Sequence, residues 1–126
     1  MRFRNQSSDG FTLVEIMIVV AIVGLLAAIA LPMSVRARTT SQKATCINNL
    51  RQIEGATQQW ALEYKQAYNA PVGYSDVSQY LRNKVTCPSG GVSGTFASCY
   101  QLTLVSERPT CIISPSQHQL PIETSN

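Results

Sequence analysis

The sequence predicts an α+β chain: a long N-terminal α-helix, bent partway and membrane-spanning in its first half, carrying a small C-terminal head with a short helix and a β-hairpin. Three observations predict it. Phe11 to Met33 is a run of 23 residues in which only Glu15 is charged. That is the length an apolar helix needs to cross a bilayer. After Pro32, Cys46, Leu50, Ile53, Thr57, Trp60, Tyr64 and Ala67 recur at spacings of four and three, which places them on one helix face. Beyond Asn69 the pattern breaks into turn residues and short β-rich runs.

The apolar run opens with Gly10-Phe11-Thr12-Leu13-Val14-Glu15. A carboxylate in a span costs about 2.5–3.5 kcal/mol at the bilayer centre. Glu15 therefore needs a partner. Gly24 lowers helix propensity by about 1 kcal/mol relative to Ala. Pro32 removes a backbone donor and favours a kink. The rest of the stretch from Met33 to Ala70 has no Pro and one Gly, Gly55, so a single helix from about Phe11 to Ala67, bent near Pro32, is expected.

Asp9-Gly10 followed by Phe-Thr-Leu-Val-Glu and an apolar helix resembles the prepilin signal of type IV pilins and type II secretion pseudopilins. The likeness is close over about residues 9–32, and Pro32 falls where the family has one. It implies a leader, Met1–Gly10 with Arg2 and Arg4, cut after Gly10 by a prepilin peptidase on the cytoplasmic side. It implies N-methylation of the new terminus, Phe11, and a role for Glu15 in guiding the subunit into a filament. The segment between Gly24 and Pro32 would loosen as subunits pack. The implied divisions are residues 1–10 as leader, 11–33 as transmembrane and assembly helix, 34–68 as the periplasmic half of the helix, and 69–126 as a small α/β head. Implied partners are the peptidase, other pilin or pseudopilin subunits in a homo- or heteropolymer, an inner-membrane assembly platform and membrane lipid.

Charge does not set the orientation, because Arg2 and Arg4 precede the span while Arg36, Arg38 and Lys43 follow it. The resemblance implies a single pass of the cytoplasmic membrane with the C-terminus outside, then a place in a pilus or pseudopilus. Arg36 and Arg38 suit either anionic headgroups or a solvated flank. The alternative is a secreted or singly anchored disulfide-containing protein with a conventional signal, cut after Ala28-Ile29-Ala30. The length of the apolar run and its acidic opening count against it.

In the head, Asn69–Tyr74 ends the long helix and Ser75 is the expected cap of a second one, Asp76–Asn83, with Val77, Tyr80 and Leu81 inward. Cys87-Pro88-Ser89-Gly90-Gly91 reads as a loop that runs on through Gly94. Ser98–Val105 and Thr110–Ser114 have strand character around a turn at Ser106–Pro109 and predict the hairpin. So small a hairpin needs a helix to lie on, and the Trp60 and Tyr64 stripe offers one.

The pieces Cys46–Ile53, Cys87–Gly91, and Pro109–Cys111 with His118 and Leu120-Pro121 also resemble a subset of pseudopilin-like proteins. That subset runs from Gly-Gly straight into the strand; this chain inserts Val92–Ser98 before Cys99. All four cysteines lie beyond the span, which suits an oxidising compartment. Four cysteines allow three full pairings. Cys87 opens a loop and Cys111 sits mid-strand, so Cys87–Cys111 is the expected bridge, with Cys46 and Cys99 able to pair or to stay reduced. No Cys-x-x-Cys occurs, and no metal is expected.

Catalysis has no support in the sequence. The single histidine, His118, reads as solvated in a polar tail. No Gly-x-Ser-x-Gly elbow occurs, and Gly90-Gly91 with Gly94 lacks the Lys-Ser/Thr ending of a phosphate loop. The carboxylates Glu15, Glu54, Glu63, Asp76, Glu107 and Glu123 form no evident pair. The net charge of +3 is scattered, so nucleic acid is not an expected partner. A structural subunit with no cofactor is the expectation.

Overall fold

A computed structural model describes residues 10–122. Most of the predicted leader, and Glu123, lie outside them. The architecture is α+β. Helix α1 (Leu13–Glu63) is followed by α2 (Tyr74–Val77), 3-10 turns at Ser78–Tyr80 and Pro88–Gly90, α3 (Phe96–Cys99), and strands β1 (Tyr100–Gln101) and β2 (Thr110–Cys111). The chain divides between Ala37 and Arg38 into two compact units. The second unit takes the latter part of α1 and every later element.

Helix α1 starts where its sequence allows. The Glu15 N–H donates to Thr12 Oγ1 at 3.2 Å, so Thr12 caps the helix and Glu15 sits in the first turn. There the helix dipole favours a negative charge. Every residue from Gly10 to Ser41 is exposed, and α1 is long and apolar enough to cross a membrane.

The helix ends at Glu63, four residues before the expected end. Lys65 adopts a left-handed backbone with φ 49°, and the Gln66 N–H donates to the Ala61 carbonyl at 2.9 Å. This is the six-to-one bond that closes a helix. The buried stripe therefore holds from Cys46 through Leu50, Ile53 and Thr57 to Trp60, whereas Tyr64 is 54% exposed and Ala67 is exposed. The hairpin does not lie on the expected Trp60 and Tyr64 surface: its Tyr100 and Cys111 pack earlier on the helix, with Cys46, Leu50 and Ile53, and Trp60 packs with Val72, Val77 and Val105 instead.

Two apolar clusters lie along this stripe. Cys46, Leu50 and Ile53 pack with Val85, Cys87, Phe96, Cys99, Tyr100 and Cys111. Ala56, Trp60 and Ala61 pack with Val72, Val77 and Val105. The strands pair antiparallel, Tyr100 with Cys111 and Gln101 with Thr110, so the predicted hairpin exists but is two residues deep. Thr95 and Ser98 shorten it. The Ser98 N–H donates to Thr95 Oγ1 at 3.3 Å and the Thr95 N–H donates to Ser98 Oγ at 2.9 Å. That reciprocal cap makes Phe96–Cys99 a helix, which takes Ser98 and Cys99 from the start of the strand expected over Ser98–Val105.

The segment after α1 carries backbone pairing of its own. The Val72 N–H donates to the Thr103 carbonyl and the Val105 N–H to the Ala70 carbonyl, both at 3.0 Å. The second helix begins earlier than predicted. Its cap is Gly73, not Ser75, because Asp76 Oδ2 accepts from the Gly73 N–H at 2.8 Å, and the helix tightens into a 3-10 turn at Ser78. Val77 is fully buried, while Tyr80 and Leu81 are half-buried.

Candidate functional site

Two places concentrate chemistry. The first is the start of α1. Gly10 is exposed, and a Cβ there would meet nothing within 4 Å. Phe11 is 80% exposed and Glu15 is exposed. Phe11 precedes the Thr12 cap and lies outside α1, while Glu15 lies in the first turn of the helix. Gly24 and Pro32 both lie within α1, which continues through them unbroken. Pro32 leaves the carbonyl of Ala28 without its helical donor.

The second place was not foreseen as a unit. Cys46 from α1, Cys87 before the second 3-10 turn, Cys111 from β2 and His118 from the C-terminal segment converge, and their ligand atoms all lie within 4.8 Å of one another. The Cys87 and Cys111 sulfurs are 3.8 Å apart. His118 Nδ1 lies 3.6 Å from Cys87 Sγ and 3.8 Å from Cys111 Sγ. His118 is only 4% exposed, which corrects the expectation of a solvated tail histidine. A turn buries it: its N–H donates to the Ser114 carbonyl at 2.9 Å.

The cysteines are free thiols. The predicted partners Cys87 and Cys111 do meet, but a disulfide needs about 2.05 Å between sulfurs, and Cys46 shares the same centre. Cys99 stands outside this group, against Gly90 and Gly94: a Cβ on Gly90 would come within 3.1 Å of its sulfur.

Burial sets the electrostatics of the cluster. It pushes the Cys46 thiol far above its ordinary value, with the Tyr100 hydroxyl pulling the other way. It raises Cys87 too, opposed by a hydrogen bond from the Ser89 backbone N–H. Burial, then the Lys43 ammonium, lowers His118, so its imidazole is held neutral. Asn49 fixes the Tyr100 hydroxyl. Its Nδ2 donates to the Thr86 carbonyl and to Tyr100 Oη, both at 3.0 Å. The Tyr100 proton is then left for the Cys46 sulfur, 3.6 Å away.

Comparison with known proteins decides the family. Residues 5–31 match the prokaryotic N-terminal methylation motif. The fimbrial protein EcpC of Eikenella corrodens is 33% identical over 106 residues, which is 82% of this chain and 69% of that protein. The chain belongs to the type IV pilin and pseudopilin family. The type IV major pilin protein PilA of Myxococcus xanthus is 45% identical to this pilin-family chain over 49 residues, 39% of the chain and 22% of PilA. The type II secretion system core protein G of Klebsiella michiganensis is 29% identical over 86 residues, 68% of the chain and 56% of that protein. The chain spans less than half the length of PilA and of the major fimbrial protein FimA of Dichelobacter nodosus, of which it covers 42%. No solved structure matches it. These relatives are named as pilin, fimbrial and secretion-system proteins, and among the described residues one helix, α1, is long and apolar enough to anchor a pilin in a membrane.

His118 is the residue that sequence reasoning misjudged in this pilin-family head. The available signal was its place seven residues after Cys111, with Ser114 and Pro115 between to turn the chain back.

Proposed function

We propose that the chain is a filament subunit processed after Gly10, N-methylated at Phe11, held in the cytoplasmic membrane by α1 with its head outside, and polymerised through that helix. The observation that carries this reading is the apolar first part of α1, uncovered on every face, with one carboxylate in its first turn. A helix that is apolar all round belongs in lipid or in a bundle. A filament core of such helices supplies the bundle, and the membrane supplies the lipid beforehand. The proposed partners follow: the peptidase that cuts at Gly10, an assembly platform, and further pilin or pseudopilin subunits. Glu15 pairs with the charged terminus of Phe11 in a neighbouring subunit, because an unpaired carboxylate is strongly disfavoured away from water. The proposed kink at Gly24 and Pro32 lets the helix adapt as the subunit enters the filament.

The test is the mass and N-terminal sequence of the mature chain. A start at N-methylated Phe11 supports the reading. A start at Leu31 makes the segment a conventional cleaved signal, and an intact start at Met1 in cells that have the peptidase makes it a plain anchor.

A further inference from the structure

We infer that Cys46, Cys87, Cys111 and His118 form a tetrahedral zinc site that ties the head to α1. Three of the ligand-to-ligand distances are those of a metal centre, and the Cys46 sulfur lies within 4.8 Å of the other three ligand atoms. With zinc–sulfur bonds near 2.3 Å and zinc–nitrogen bonds near 2.0–2.1 Å, a tetrahedron has sulfur–sulfur edges of about 3.8 Å and sulfur–nitrogen edges of about 3.6 Å. The cluster shows 3.8 Å for Cys87–Cys111, and 3.6 and 3.8 Å from His118 Nδ1 to the same two sulfurs. All four groups are buried, and each comes from a different segment of the chain.

The stoichiometry argues the same way. A disulfide uses two thiols, yet three meet here, and the nearby Cys99 is left out. Pairing any two would leave a third thiol and an imidazole packed against the bridge with no task. Three thiolates and a neutral imidazole complete one zinc coordination shell, and soft sulfur ligands select zinc over magnesium or calcium. The binding is not a redox step: three thiols release three protons to solvent and His118 offers the Nδ1 lone pair.

Groups around the cluster orient its ligands. The Ser89 backbone N–H points at the Cys87 sulfur, and Pro88 before it has no N–H to compete. The Tyr100 hydroxyl, held by Asn49, points at Cys46. Donors of this kind fix ligands and share the charge on metal-bound sulfur. A surface depression of about 380 Å³, lined in part by Cys111 and His118, gives an entry path.

The experiment takes the full chain in detergent, purified without chelator through a tag free of histidine and cysteine. Zinc is measured by elemental analysis, and the stripped chain is titrated with Co²⁺. The expected result is one zinc per chain and the intense visible spectrum of tetrahedral cobalt thiolate, abolished when zinc is added back. Cys99→Ser keeps full occupancy, His118→Cys keeps it through a fourth thiolate, and Cys46→Ser or Cys111→Ser loses most of it. A reduced chain with no zinc and no tetrahedral cobalt spectrum overturns the assignment. So does a Cys87–Cys111 disulfide in freshly exported protein, or unchanged occupancy in Cys46→Ser. The cobalt spectrum of the unmutated chain keeps the test decisive if the serine variants misfold.

Discussion

The two halves of α1 are built from one helix and face opposite demands. From Leu13 to Met33 the side chains other than Glu15 are apolar on every face, and all are exposed, with Leu25 71% and Ile29 71% open. From Cys46 to Ala61 seven residues are buried in a single stripe, and the opposite face is polar. The first half is a surface that awaits lipid or neighbouring helices. The second half is already one wall of a folded head. Substitutions should therefore act on assembly in the first half and on stability in the second.

Trp60→Ala should show this division most strongly. Trp60 is 8% exposed and anchors the second cluster. Its removal should cost about 3–5 kcal/mol, read by near-ultraviolet circular dichroism during denaturant unfolding of the full chain in detergent. Leu50→Ala should cost about 2–5 kcal/mol, because Leu50 is fully buried. Leu25→Ala, the same chemical change on the exposed half, should leave head unfolding unmoved. Equal effects from the two leucine substitutions would erase the distinction between the halves.

The stripe was legible because a period of 3.6 survives in the sequence even when the partner surface is unknown. It ran on too far because nothing at Lys65 announces a left-handed residue: Gly or Asn would have signalled the stop, and Lys does not. The depth of the hairpin was hidden for a similar reason. Ser98 and Cys99 open a run of strand composition, Ser98–Val105, yet Thr95 and Ser98 cap each other and hold Phe96–Cys99 as a helix. The cysteine and histidine cluster was hidden more deeply. Its members are spread from position 46 to position 118, and a histidine in a polar segment is buried only once β2 and the Ser114 turn bring it back.

Smaller effects sharpen the picture within the head. Asn49→Ala removes both donors to the Thr86 carbonyl and Tyr100 Oη and should cost about 1–3 kcal/mol. Its signature would be a Tyr100 hydroxyl no longer directed at Cys46, which removes the donor that favours the thiolate and is seen as slower alkylation of that thiol in the zinc-free chain. Glu54→Gln breaks the 3.0 Å pair with Arg108. Both side chains are partly exposed, so the loss should stay under about 1 kcal/mol and shrink further in high salt.

The central claim is that the exposed half of α1 exists to assemble, with Glu15 as its one charged contact. The most direct measurement expresses Glu15→Ala and Gly10→Val beside the unmutated chain with the assembly machinery. Processed protein and sheared filaments are then quantified from the same cells. The account predicts that Glu15→Ala is cleaved at close to normal levels and yields few filaments, while Gly10→Val accumulates uncleaved. Normal filament yield from Glu15→Ala would contradict it, leaving α1 as a membrane anchor with no part in polymerisation.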